Sequence, residues 1–204
     1  MIITVASFKG GVGKTTTAIH LAAFFQGHGE TLLIDADPNR SSLGWAQRGE
    51  LPFPVLDEWQ AGQKLYPYDH VIIDTQARPT PEDLTALSKS CDLLVLPTTP
   101  DVLALDALVL TVDYLSKIQM QHYQILLTAV PPKPSKAGDS VREMLTEAKL
   151  PLFEGTIRRL SAFQKAALAG VPVYEVRDAR AEWGWQDYEA IGQEILQLTT
   201  DANS

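Results

Sequence analysis

The sequence predicts an α/β fold: a single domain built on a mostly parallel, twisted sheet with helices on both faces. Three observations carry this. Short aliphatic and β-branched runs alternate with helical periodicities along the whole chain, which is the pattern of repeated strand–helix–strand units. A glycine cluster, Gly10-Gly11-Val12-Gly13, stands where the first of these runs must turn into the first helix. The chain has 204 residues with 45% hydrophobic content, enough for one compact domain and too few for two comfortable ones.

Taken in order, residues 2–5 (Ile-Ile-Thr-Val) read as a buried strand. Residues 13–25 carry Ile19, Leu21, Ala22, Ala23, Phe24 and Phe25, an apolar surface suited to a helix packed on a sheet, and Gly27 and Gly29 end it. The strand at 31–34 delivers Asp35-Ala36-Asp37-Pro38-Asn39. Carboxylates at i and i+2 on a strand end point the same way, and Pro38 stops the strand. Residues 39–64 read as irregular, with short helices near 42–47 and 57–62; Trp45 and Trp59 are expected as local core plugs.

A buried strand at 68–74 ends on a carboxylate, Val71-Ile72-Ile73-Asp74, and Pro79 and Pro81 open a helix over 82–88. The strand at 92–97 leads into Thr98-Thr99-Pro100-Asp101. A helix over 102–118 follows, with Leu105, Leu108, Val109, Val112 and Leu115 on one face. Then come a strand at 124–130, a break at Pro131-Pro132, a helix at 140–148 and a last strand at 152–157. A helix over 161–168 is expected to be capped by Ser161 and closed by Gly170. The tail, 182–198, places Tyr188, Ile191, Ile195 and Leu198 at helical spacing, with Trp183 and Trp185 anchoring its start.

The totals exclude several classes. No 18-residue apolar run reads as a membrane span, and the first residues lack the basic region of a signal peptide. A single cysteine, Cys91, supports neither a disulfide framework nor a metal cluster, and reads as a buried structural thiol. These features point to the cytosol. The formal net charge of −8 is unevenly spread: 8 basic and 14 acidic residues up to Pro132, 9 and 6 over residues 133–180, and 0 and 5 from Ala181 onward. The middle block is thus a weakly basic face on an acidic protein.

The residues 8–16, Phe8-Lys9-Gly10-Gly11-Val12-Gly13-Lys14-Thr15-Thr16, carry the chemistry. Glycines let backbone N–H groups turn inward as a nest for phosphate oxygens, and the helix that follows adds its positive N-terminal end. Lys14 is placed to reach the β/γ-phosphates of a nucleotide, and the Thr15 hydroxyl to bind Mg²⁺. The pattern departs from G-x-x-x-x-G-K-[ST], because Phe8 holds the first glycine position and a second lysine, Lys9, heads the loop. An apolar strand ending in Asp74 supplies the second feature of such nucleotide sites.

These motifs, together with Asp35-Ala36-Asp37-Pro38-Asn39 and Leu96-Pro97-Thr98-Thr99-Pro100-Asp101, occur in the order found in ParA/MinD-type ATPases with a deviant Walker A loop, and the chain resembles that family as far as Val173. Within it, the chain is most similar to the short ParA-type partition ATPases and the McdA carboxysome-positioning ATPases. The resemblance implies ATP and Mg²⁺ as cofactors, with Gly10, Gly11, Val12, Gly13, Lys14, Thr15 and Thr16 binding nucleotide. It implies that Lys9 crosses a dimer interface to the partner's nucleotide, that Asp37 positions or activates the attacking water, and that Asp74 holds Mg²⁺ through water alongside Thr15. The catalytic set is then Lys9, Lys14 and Asp37, and the metal set Thr15, Asp37 and Asp74. Asp35 can equally help the metal site or cap the next element. Many relatives follow the strand Asp with Pro-Pro, whereas this chain has Thr75-Gln76-Ala77-Arg78-Pro79.

The resemblance further implies a homodimer in the ATP state that holds DNA non-specifically, an adaptor protein that stimulates hydrolysis and links to cargo, and a nucleoid-associated location. The basic block offers Arg142, Lys149, Arg158, Arg159 and Lys165 as DNA contacts, Arg158 and Arg159 foremost. A membrane-cycling regulator of the MinD kind is the first alternative, but it needs a basic amphipathic helix, and the C-terminal segment has no lysine or arginine. A small-molecule ATP-dependent ligase or carboxylase is the second; it leaves Lys9 without a role.

Overall fold

Fifteen elements follow one another: β1 (Ile2–Ser7), α1 (Lys14–Gln26), β2 (Thr31–Ala36), α2 (Ser41–Ala46), β3 (Val55–Asp57), α3 (Glu58–Gln63), β4 (His70–Ala77), α4 (Pro81–Ser90), β5 (Leu93–Thr98), α5 (Val102–Lys117), β6 (Tyr123–Leu127), α6 (Ala137–Glu147), α7 (Ser161–Ala169), a 3₁₀ turn (Val173–Glu175) and α8 (Ala181–Asp201). They come from a computed structural model, which describes residues 1–63, 67–77 and 80–201. The strands form one six-stranded sheet in the order β3-β2-β4-β1-β5-β6, and every pairing is parallel.

Side chains alternate across this sheet as the pleat requires. Leu93, Val95 and Leu126 join Ile3, Val5 and Ile72 in a core beneath α1, α7 and α8, whereas Leu94, Leu96, Ile125 and Leu127 join a second core with Leu108 and Leu115 of α5 and Val141 and Leu145 of α6. Both faces are covered, as the sequence predicts. α1 is buried along nearly its whole length because it lies between the sheet and α8, where Tyr188, Ile191 and Ile195 are fully buried.

The approach of α8 to α1 depends on Gly192. A Cβ at that position would lie 2.3 Å from the Phe24 ring. Gly192→Ala is therefore expected to lower the urea midpoint, costing roughly 1–3 kcal/mol by overpacking, with the slope of the transition unchanged. An unaltered midpoint would mean that Phe24 turns aside freely.

Several expectations need correction. The last strand at 152–157 does not form. The segment touches β6 through an isolated bridge, Ile125 to Leu152, and just past both of them Val130 bridges Arg158, but the N–H groups of Glu154 and Gly155 donate to the Glu194 carboxylate (both 2.8 Å). Arg142 donates to the carbonyls of Phe153 and Gly155 (3.0 and 3.3 Å). Backbone bonds to β6 remain at Phe153 and Ile157, but between them side chains take the groups a continuous ladder would need. β3, a three-residue edge strand, lies in the stretch read as irregular; three residues carry too little periodicity to be seen. Trp45 is buried, its Nε1–H donating to Val171 O at 3.2 Å, but Trp59 is 71% exposed.

On α5 the buried line runs through Ala104, Leu108, Thr111 and Leu115, which turns Val109 out to solvent. Trp183 and Leu198 are likewise largely exposed, while Trp185 packs edge-on against Tyr174. Leu160, rather than Ser161, occupies the N-cap of α7, without a side-chain cap; Gly170 closes that helix in the left-handed conformation. Cys91 is half-buried rather than buried. No helix among the described residues is long and apolar enough to cross a membrane.

Candidate functional site

In an open parallel sheet the ligand-binding crevice lies outside the carboxyl ends of the strands. Here those ends deliver the phosphate loop after β1, Asp35 and Asp37 at β2, Asp74 on β4, Thr98 to Asp101 after β5, and Thr128 after β6. Register sets the central group: Asp74 lies beside Val5 on one side and Asp35 on the other. Just beyond, the pairing jumps from Val5–Asp74 to Ser7–Ala77, a bulge in β4 at the mouth of the site.

The loop has the conformation its glycines permit. Gly11 and Gly13 adopt φ of 79° and 87°, and a Cβ at Gly10 or Gly11 would meet nothing within 4 Å, so the cradle faces open space. α1 starts at Lys14, presenting the N–H groups of its first turn. Thr128, which sequence reasoning missed, braces the loop from β6 by donating its hydroxyl to Val12 O at 2.7 Å. No local signal marks it, because the partners are 116 residues apart.

Asp74 and Asp37 lie close enough to Lys14 to act on its charge. Lys14 is buried; burial pulls its pKa down, opposed by the carboxylates of Asp74 and Asp37. Asp74 is fully buried and its pKa is pushed up to about 6, chiefly by burial, against hydrogen bonds from Ser42 and Thr15. Ser42 Oγ donates to Asp74 Oδ2 at 2.8 Å, while Asp74 Oδ1 is buried with no hydrogen-bond partner. A threonine hydroxyl and a buried carboxylate with one orphaned oxygen are the kind of donors that Mg²⁺ takes with a nucleotide: one or two protein oxygens, the rest from phosphate and water. Thr15 and Asp74 fit that ion, so here the residues match the group the sequence implies.

Asp37 is buried beside them. Its Oδ1 accepts from the N–H and the side-chain amide of Asn39, both at 2.9 Å, so Asn39 sets the carboxylate's direction. Asp35 takes the capping role. Its Oδ1 accepts from Asp37 N–H and its Oδ2 from Leu43 N–H in the first turn of α2. Both oxygens are engaged in holding Asp37 and α2 in place.

Beyond the loop, a cavity of about 340 Å³ runs from Gly11 and Gly13 past Thr128 to Ile157, Arg159 and Phe163. Its mixed polar and apolar wall suits a nucleoside joined to phosphates in the loop. Tyr188 lines it and stacks on His20 with ring centroids 4.8 Å apart. His20 is fully buried between two backbone groups: Nδ1–H donates to Thr16 O at 2.6 Å and Nε2 accepts from Val173 N–H at 3.0 Å. A second proton would face that N–H, and burial lowers its pKa to about 4, so the neutral ring ties α1 to the 3₁₀ turn and stacks on α8. A larger cavity, about 600 Å³, lies among Met1, His70, Asp92 and His122 at the amino ends of the strands, the wrong end for such a ligand.

Lys9 stands apart: its ammonium pairs with Asp101 at 2.6 Å. The basic candidates are dispersed. Arg158 forms a forked pair with Asp187 (2.7–3.0 Å) and donates to Trp183 O, Lys165 pairs with Asp178 (2.6 Å), and Arg142 holds the carbonyls named above. Lys149 and Arg159 are exposed. In the stretch after Asp74, the Thr75 hydroxyl donates to Val5 O at 2.9 Å and β4 continues to Ala77; Arg78 and Pro79 lie outside the described residues.

A parallel sheet whose first strand feeds a glycine loop and a buried lysine, with a buried carboxylate on the neighbouring strand, defines a P-loop nucleotide-binding protein. The chain belongs to the CobQ/CobB/MinD/ParA nucleotide binding domain family, matching it over residues 3–173. It is 34% identical over 201 residues to maintenance of carboxysome distribution protein A of Gloeobacter kilaueensis, covering 95% of this chain and 93% of that one. Its fold is similar to that of a plasmid partition protein of Borrelia burgdorferi bound to AMPPNP (20% identity, TM-score 0.76, 96% and 98% of the two chains). It is also similar to the septum site-determining protein MinD of Pyrococcus horikoshii complexed with Mg-ADP (17% identity, TM-score 0.69, 97% and 96%).

Proposed function

We propose that this chain is an Mg²⁺-dependent ATPase of the positioning type, whose ATP-bound homodimer holds DNA non-specifically and is released when an adaptor protein stimulates hydrolysis. Carboxysomes are the first cargo to test, by likeness to the Gloeobacter kilaueensis protein, with a plasmid or chromosome region as the alternatives. Lys14 grips the β/γ-phosphates, and Thr15 and Asp74 hold Mg²⁺, which neutralises phosphate charge. Asp37 orients the attacking water, its carboxylate already aimed by Asn39.

One observation carries the dimeric reading. The loop has its own buried phosphate lysine in Lys14, so a second lysine at its rim serves best on another subunit's nucleotide. For DNA, Lys149 and Arg159 are the leading contacts, because Arg142, Arg158 and Lys165 are committed to intramolecular partners. DNA of the nucleoid would be the track.

Asp37→Ala is expected to keep ATP binding and dimerisation but to lose hydrolysis. With ATP and Mg²⁺ it should retard random-sequence DNA at low salt, and retardation should weaken steeply as salt rises. Absence of retardation in this ATP-locked form would remove DNA binding from the reading, and turnover at the wild-type rate would remove the role of Asp37.

A further inference from the structure

Lys9 and Asp101 are 92 positions apart, yet the lysine is met by a carboxylate already set in place. Asp101 caps α5: its Oδ1 accepts from Ala104 N–H at 3.1 Å, and its Oδ2 accepts from the Thr99 hydroxyl. On the other side, Lys9 N–H donates to Ser7 Oγ at 3.2 Å, so the backbone that carries the lysine is tied to the end of β1. The two side chains are 29% and 49% exposed. A pair this wet contributes at most about 1 kcal/mol, enough to bias where the ammonium rests and weak enough to yield to a triphosphate. Release leaves no stranded charge, since the Asp101 carboxylate keeps its two other donors and the positive end of α5.

We propose that Asp101 is a positioning residue that holds Lys9 at the N-terminus of its own α5, so that each subunit must exchange Asp101 for the partner's nucleotide phosphate when two copies associate. This rests on the reading of Lys9 as the lysine that crosses between subunits. Its consequence is regulatory: the latch raises the protein concentration at which ATP drives association, and keeps nucleotide-free subunits from pairing. The Asp101 pKa, held below the usual carboxylate range first by Lys9 and then by Thr99, agrees with a latch that is closed at neutral pH.

Asp101→Asn tests it, because asparagine keeps one acceptor oxygen for Ala104 N–H and turns an amide N–H donor toward the Thr99 hydroxyl oxygen while removing the charge; Asp101→Ser is the second variant, also a good helix cap. The dimer dissociation constant is measured by sedimentation with AMPPNP and Mg²⁺. Two latches open per dimer, so both variants are expected to tighten it roughly two- to thirtyfold, with the gain shrinking at high salt. In a Lys9→Ala background the same substitutions should change nothing, a coupling that a purely structural role for Asp101 would not produce.

Unchanged or weaker association in both variants, with Lys9→Ala itself defective, overturns the latch and leaves the crossing role standing. Wild-type association of Lys9→Ala overturns the crossing role and the latch together.

Discussion

Asp74→Asn is expected to make the nucleotide-free protein more stable at pH 7.5 while abolishing Mg²⁺-dependent turnover. The carboxyl is fully buried, one oxygen has no partner, and its pKa is raised to about 6 from the ordinary 3.8. A carboxyl whose folded pKa is raised favours the native state most below the unfolded pKa, and that contribution is lost as pH climbs through about 6. At neutral pH the ionised group therefore costs the empty protein up to about 3 kcal/mol. Asparagine keeps an acceptor for Ser42 and removes the charge.

Melting of the two proteins without nucleotide should differ by several degrees at pH 7.5, at roughly 2–4 °C per kcal/mol, and the gap should narrow toward pH 4.5. A gap that is absent at pH 7.5 or widens in acid would show that Asp74 is not a strained anion. With nucleotide and Mg²⁺ the order should reverse, because under the proposed reading the asparagine variant lacks the charge that would hold the hydrated metal. Destabilisation of the empty site belongs to the tertiary structure: it arises from the burial of Asp74 in the middle of the sheet, between Val5 of β1 and Asp35 of β2, and the hydrogen bond from Ser42 of α2 only partly offsets it.

Lys14→Ala should eliminate nucleotide-dependent stabilisation. A ligand at a hundred times its Kd adds about 2.7 kcal/mol, which corresponds to a rise of roughly 5–11 °C for a chain of this size. The variant is expected to show no such rise with ATP and Mg²⁺, and no turnover. The reason is geometric as well as electrostatic. Lys14 is the first residue of α1, buried at the base of the cradle formed by Gly11 and Gly13, so no neighbouring cation can move into its place. Lys9 is the nearest substitute in sequence, but its ammonium is held by Asp101. A thermal shift equal to that of the native protein would refute the role of Lys14.

These two substitutions separate what was legible in the chain from what was not. The alternation of strands and helices, apart from β3 and the segment at 152–157, and the placing of Lys14, Asp37 and Asp74 beside the glycine loop or at strand ends were legible, because each depends on local chemistry. Glycines permit positive φ, a strand end places a carboxylate, and period-2 and period-3.6 patterns mark the elements. Burial of Tyr188, Ile191 and Ile195 on α8 followed from the same periodicity. Val109 did not follow it, since an apolar residue reads the same on either edge of a helical stripe and packing decides which edge is covered, and Trp59, expected as a core plug from its size alone, is exposed.

The parts hidden from the sequence are contacts made across the sheet. Ser42 on Asp74, Thr128 on Val12 and Lys9 on Asp101 join residues 32, 116 and 92 positions apart, and only the strand order β3-β2-β4-β1-β5-β6 brings them together. The same holds for the segment at 152–157, whose backbone looked ready for a ladder until Glu194 and Arg142 took its polar groups. For the basic residues, sequence supplied the charge and the fold decided its availability: Arg158 is drawn into Asp187 by α8, while Arg159 next to it is exposed. By itself, then, the sequence determined that a nucleotide loop sits on a parallel sheet, because that is local stereochemistry. Which charges are strained, latched or available was decided by the tertiary structure, because the energy of a charge depends on what surrounds it.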